Sequence, residues 1–252
     1  MGRRAISTAA RFEYKREMSI VIADCRLDSE CRLSLEKRGF ELICLPPFSR
    51  LPEPVASHPD MLLFAGKDHL VCYDEYFRGN SGLVSRIASL WGKRLVLARD
   101  DVGDRYPMDV GLNAAPVGEW LVCKRDALSP SVASLYEEKN MVGVKQGYAK
   151  CSAVVVDDRS LITADRSIAI GAEKKGIDVL LVSPEGVELE GYNCGFIGGA
   201  SGADRENVYF CGSVELHPDG EKIADFCRKK GKGCVSLSDR PLYDYGTLFF
   251  LP

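Results

Sequence analysis

Between Gly147 and Pro184 apolar and polar positions fall into a pattern that recurs along the chain. Ala153-Val-Val-Val156 and Leu161-Ile-Thr-Ala164 are short apolar runs separated by Asp157-Asp-Arg-Ser160. Acidic and hydroxyl side chains satisfy turn backbone while β-branched neighbours pack on a pleated face, so the two runs predict a hairpin. A helical segment then reaches Lys175 and stops at Gly176, a residue that takes the left-handed conformation after a helix without steric cost. Asp178 to Ser183 reads as a third strand. The unit is strand, strand, helix, strand.

The same order is found five times. The first copy has Ser19 to Ala23, a helix opening at Asp28-Ser29 with Cys31 and Leu35 on one face, Gly39 as its stop, and Phe40 to Leu45; it lacks a leading hairpin strand. The second has Met61 to Phe64, Leu70 to Tyr73, a helix ending at Gly92, and Arg94 to Ala98. The third has Val110 to Ala114, Trp120 to Cys123, a helix entered at Ser129-Pro130 with Val132, Leu135 and Tyr136 as its apolar face, and Val142 to Val144. The fifth has Gly195 to Gly198, Val208 to Cys211, a helix with Ile223, Phe226 and Cys227 inward, and Val235 to Leu237. Leu242 to Leu251 is left over, and its place after the fifth copy makes it the hairpin strand that the first copy lacks. Closing a repeat by pairing the two ends of the chain predicts a ring without exposed sheet edges. The expected architecture is therefore α/β: a five-bladed pseudosymmetric α/β propeller spanning residues 18–252, preceded by an N-terminal arm over residues 1–17.

Composition narrows the function classes. The 252 residues carry a formal net charge of −3, which gives no general reason to expect nucleic acid or an anionic membrane as a partner. No apolar run reaches the roughly 18 residues of a membrane span. Ten cysteines are scattered without a Cys-x-x-Cys pair, many of them in strands or on apolar helix faces, which suits a reducing, cytoplasmic setting better than a disulfide framework. His58, His69 and His217 lack ligand spacing with one another, so neither a metal nor another cofactor is expected. The oligomeric state stays open.

Five strand-strand-helix-strand units closed into a ring resemble the pentein fold of guanidine-modifying enzymes, such as dimethylarginine dimethylaminohydrolase, arginine deiminase and the amidinotransferases. The ribosome anti-association factor shares that propeller without being an enzyme. Local similarities point toward dimethylarginine dimethylaminohydrolase: Leu45-Pro-Pro47 with Leu51-Pro-Glu53, Val117-Gly-Glu119, and Tyr148-Ala-Lys150. The resemblance implies a cysteine nucleophile near the C-terminus, a histidine that moves protons, and carboxylates that hold the cationic group. This chain departs from that pattern. The third-repeat glutamate position falls on Val110, the fourth-repeat histidine on Tyr148, and no cysteine follows Cys234.

Two features remain as candidate chemistry. Cys151 and Cys194 are candidates for a relocated nucleophile; only Cys151 has a cationic sequence neighbour, Lys150, to favour a thiolate, and a buried structural role is the expectation for both. Aligning the first strands places Asp60, Asn113, Lys150, Asn193 and Asp244 at equivalent positions, the 184 residues from Asp60 to Asp244 giving a repeat of 46 over four steps. With Tyr148, this set would line an axial pocket for a small polar ligand, amino-acid-like or guanidino. The alternatives are a non-enzymatic interaction module and a divergent C–N hydrolase or amidinotransferase.

Overall fold

The structure, a computed structural model, describes residues 19–251; the expected N-terminal arm lies outside the described residues. In chain order the first unit is β1 (Ser19–Asp24), α1 (Ser29–Lys37) and β2 (Phe40–Leu45). The second is α2 (Pro59–Leu62), β3 (Leu63–Ala65), β4 (His69–Tyr73), α3 (Asp74–Leu90) and β5 (Arg94–Ala98), and the third is β6 (Ala115–Val117), β7 (Trp120–Cys123), α4 (Pro130–Ala133) and β8 (Met141–Gly143). The fourth is β9 (Ala153–Asp157), β10 (Ser160–Thr163), α5 (Arg166–Glu173) and β11 (Asp178–Leu181). After β12 (Val187–Glu188) the fifth comprises β13 (Ser201–Ala203), β14 (Asn207–Phe210), α6 (Gly220–Lys229) and β15 (Gly233–Ser236), and the chain ends in β16 (Leu242–Tyr243) and β17 (Phe249–Phe250).

These strands form five three-stranded sheets of one design: β17-β1-β2, β3-β4-β5, β6-β7-β8, β9-β10-β11 and β13-β14-β15. In each, the first pair is antiparallel and the second parallel, as a hairpin followed by a helical crossover requires. The last strand completes the first sheet, with Val21 opposite Phe250 and Ile22 opposite Phe249. Apolar clusters fill the seams between neighbouring sheets. Ala115, Val117 and Val122 pack with Ala153, Leu161 and Ile168; Val154 and Ile162 pack with Val208, Phe210 and Ile223; Val21 and Leu35 pack with Tyr209, Cys211 and Leu248. Asp28 caps α1, its side chain accepting from the amides of Glu30 and Cys31, and Asp165 caps α5 in the same way.

Several boundaries differ from the sequence reading, each for a local reason. Met61 and Leu62 are helical because Pro59 opens a single turn at its first position, so the second sheet begins at Leu63. Val110 to Ala114 is not a strand: Asn113 N–H bonds to Val110 C=O and Ala114 N–H to Leu112 C=O, bending the chain before β6. Gly195 to Gly198 is likewise a turn segment, and the fifth first strand is Ser201–Ala203. Leu242 to Leu251 is broken by positive φ at Gly246 and Thr247 into β16, which pairs in parallel with β12, and β17. No helix among the described residues is long and apolar enough to cross a membrane.

Removing residues 242–252 deletes the partner of β1 together with the buried Leu242, Leu248 and Leu251. The truncated chain is expected to lose its cooperative thermal transition by circular dichroism; an unchanged melting curve would contradict a first sheet that depends on the end of the chain.

Candidate functional site

The residues just ahead of the five first strands converge on one buried polar network. Asn113, 2% exposed, is its most connected member. Its side-chain oxygen accepts from the backbone amides of Lys150 (2.8 Å) and Cys151 (3.2 Å), and its amide nitrogen donates to Asp60 C=O (3.2 Å) and to Cys151 Sγ (3.0 Å). One carboxamide thus ties the approaches to the second, third and fourth sheets. Asp60 Oδ2 accepts from Thr247 Oγ1 (2.7 Å), while Thr247 also meets Gly198 C=O (3.0 Å) and the Lys150 ammonium (3.1 Å). Asp244 accepts from Phe196 N–H (2.8 Å) and Gly246 N–H (2.9 Å), joining the fifth approach to the first.

Backbone geometry makes room for this network. Thr247 has φ of 69°, an outlying conformation for a β-branched residue, held by its three side-chain partners and by its N–H bond to Gly199 C=O. A Cβ on Gly199 would run into the Asp244 carboxylate, and one on Gly246 into His58. In the glycine-rich stretch, Gly195 and Gly199 let backbone approach the Asp244 side chain, while Gly198 lies against the Lys150 and Cys151 carbonyls and Gly202 against Leu248.

The electrostatics follow from burial. Desolvation pushes the Asp244 carboxyl up to about 6, with Asp60 adding to the rise and His58 opposing it. The Lys150 ammonium is held below the usual lysine value by the same cause, Asp60 and Asp244 pulling it back, and burial raises the Cys151 thiol well above an ordinary cysteine. Tyr148 lies at the edge of the network, its hydroxyl donating to Asp109 at 2.5 Å and its ring 5.8 Å from Tyr106 and 5.7 Å from Phe196; burial and that hydrogen bond raise its pKa.

Below the network lies a cavity of about 220 Å³ whose walls come from all five first strands: Leu63, Pro116, Val154, Ser201 and Phe249 are among its lining, with Lys150 and Thr247. The Lys150 ammonium stands 6.0 Å from the Phe249 ring centre.

The structure thus brings together four of the five expected ring residues, Asp60, Asn113, Lys150 and Asp244. It leaves out Asn193, which is exposed and lies eight residues ahead of β13. Counting three residues back from each first strand gives Asp60, Leu112, Lys150, Gly198 and Gly246, so the true equivalent of Asn193 is Gly198. Cys151 is buried as expected. Cys194 is not: it is exposed, and it edges a separate cavity of about 210 Å³ with Gln146, Ser152, Asp165 and Ser183. Sequence reasoning missed Thr247 and Asp24. Thr247 follows the glycine that breaks the last apolar run, which was the available signal.

This arrangement of sheets is a mixed α/β fold similar to that of pentein enzymes. Dimethylarginine dimethylaminohydrolase from Pseudomonas aeruginosa, solved as a cysteine-to-serine mutant complexed with citrulline, superposes with a TM-score of 0.54 at 13% identity, covering 88% of this chain and 92% of that one. Agmatine deiminase of C. jejuni gives 0.51 at 10% identity, covering 87% and 75%, and the amidinotransferase SxtG of Microseira wollei, from the saxitoxin biosynthetic pathway, gives 0.53 at 9%, covering 88% of each chain. No curated protein matches the sequence. The chain belongs to a family of unknown function, DUF6873, matched over residues 22–249.

Gly199→Ala is expected to destabilise the protein by about 1–3 kcal/mol, the usual cost of overpacking a filled interior, because the added methyl displaces Asp244. Urea denaturation measures this, and an unaffected midpoint would show that the Asp244 environment is loose.

Proposed function

We propose that the five sheets are the blades of a closed propeller and that its axis binds a small, amino-acid-like ligand without transforming it. The observation that supports this reading is the cavity walled by all five first strands, with the Lys150 ammonium and the Thr247 hydroxyl at its floor. An ammonium has three donors, and here two partners, Thr247 Oγ1 and Ala153 C=O (3.5 Å), are present. The third direction is available to a ligand carboxylate, and a charge-assisted bond in a largely apolar cavity is among the stronger polar contacts. Asp60 and Asp244 sit in the network behind the floor, and no acidic side chain is among the lining residues. A ligand with both charges therefore enters carboxylate first, its ammonium or guanidinium toward the opening.

That orientation argues against guanidine chemistry. No thiol lines the cavity, the sequence resemblance aligns Val110 and Tyr148 with the enzymes' glutamate and histidine, and Cys151 is buried with a raised pKa. A relocated nucleophile at Cys194 has less support, since its cavity holds neither histidine nor lysine to stabilise a thiolate. The reading is closer to the non-enzymatic branch of the resemblance.

Thermal-shift and calorimetric screening with amino acids, guanidino acids and small carboxylates should yield a ligand that Lys150→Met and Thr247→Val each weaken, the lysine change by about tenfold or more, as loss of a charge-assisted hydrogen bond implies. The same preparation should release no citrulline from arginine or methylated arginines. Indifference of the best ligand to both substitutions would refute the axial site, and turnover lost in Cys194→Ser or Cys151→Ser would refute the non-catalytic reading.

A further inference from the structure

His58 and Asp60, two residues apart, and Cys151, far along the chain, each offer a ligand atom within 4.8 Å of the other two. His58 and Asp60 are each 1% exposed and Cys151 is 2% exposed. Two of the polar atoms here have no hydrogen-bond partner: His58 Nδ1 and Asp60 Oδ1. Unpaired acceptors in a dry interior are costly, and a native cluster that retains two of them side by side calls for an occupant. We infer that this cluster is a divalent metal site, of zinc type, formed by His58 Nδ1, Asp60 Oδ1 and Cys151 Sγ.

The surroundings are those that a metal-bound histidine, thiolate and carboxylate need. His58 Nε2 lies 3.9 Å from Asp24 Oδ2, and Asp24 is itself fixed by Ser57 Oγ (2.8 Å), the Arg26 backbone amide (2.6 Å) and the Arg26 guanidinium (2.8 Å). A carboxylate close behind one imidazole nitrogen is the kind of outer partner that a metal-bound histidine has, and a shift of a few tenths of an ångström brings Asp24 within hydrogen-bond reach. Asn113 donates its amide N–H to Cys151 Sγ at 3.0 Å, a contact that a metal-bound sulfur keeps. Asp60 Oδ2 is occupied by Thr247, which leaves Oδ1 to face the cluster. Asp244 Oδ1, 3.8 Å from His58 Nδ1, already accepts from Gly246 N–H, which leaves the fourth position to a water. Tetrahedral zinc with bonds of about 2.0–2.3 Å sets its ligands about 3.5 Å apart, so a contraction of about an ångström closes the site.

The charges also balance. Cys151 releases its thiol proton on binding, and the thiolate with the Asp60 carboxylate neutralises a divalent cation; mixed imidazole, thiolate and carboxylate ligation selects zinc over magnesium or calcium. With every ligand buried, the ion enters as the chain folds, which makes metal binding part of folding stability.

The test is to unfold the full-length protein in urea with reductant and chelator, then refold it with one equivalent of Co²⁺ or Zn²⁺. Expected is one tightly held ion, a thiolate-to-cobalt charge-transfer band, and a higher melting temperature for the zinc form. Cys151→Ser and His58→Gln should remove the band and weaken zinc at least tenfold, whereas Cys194→Ser, at an exposed thiol, should leave both unchanged. X-ray absorption of the wild-type zinc form avoids dependence on variants and should show one sulfur with nitrogen and oxygen neighbours. The site is refuted if refolded wild type retains no stoichiometric ion, if the absorption spectrum contains no sulfur, or if the band survives Cys151→Ser or disappears in Cys194→Ser.

Discussion

The buried side-chain amide of Asn113 is the contact on which the centre of the molecule depends. It offers two acceptor lone pairs and two donor hydrogens, and its contacts run to the segments ahead of the second and fourth sheets from a position ahead of the third. Asp60 and Thr247 continue the network from the second sheet to the first and fifth, and Asp244 closes it between the fifth and the first. Each three-stranded sheet buries its apolar side chains against the neighbouring sheets. The apolar seams supply most of the cohesion between neighbours, while the polar centre sets how the sheets are placed around it. Such networks are stringent: removing one partner leaves a buried charge or dipole unpaired, at about 3–5 kcal/mol for a broken ion pair.

That stringency shapes what the centre can do. A half-buried lysine and two buried carboxylates, one of them shifted up to about 6 by desolvation, make an expensive arrangement for a merely structural plug. The ammonium faces a cavity and the carboxylates face an imidazole and a thiol, so the network separates two environments. In the proposed reading the cavity side takes an anionic group of a small molecule and the other side a cation. The fold is similar to that of the solved pentein enzymes.

Much of the architecture was legible because hairpin, helix and parallel strand leave different marks: acidic turns such as Asp157-Asp158, stop glycines such as Gly176 and Gly231, and the leftover apolar run at the end of the chain. The register of the centre was harder to read. Asp60 and Lys150 sit three residues ahead of their strands, but Asn113 reaches in from two and Asp244 from five, across a break at Gly246 and Thr247 that no periodicity announces. Asn193 fitted the spacing yet lies outside, because the glycines after it form a turn around Asp244 rather than a strand. Cys151 meets His58 and Asp60 only through tertiary closure.

Native-state hydrogen exchange tests the central claim most directly. The amides of Asp60, Lys150, Cys151, Phe196 and Gly246 all donate into the network. If the polar centre holds the sheets as one unit, these amides exchange only by global unfolding, with the same free energy as the most protected amides of β4, β7, β10 and β14. Exchange of the central amides at markedly lower free energy than the sheets, or sheets opening separately from one another, would contradict it.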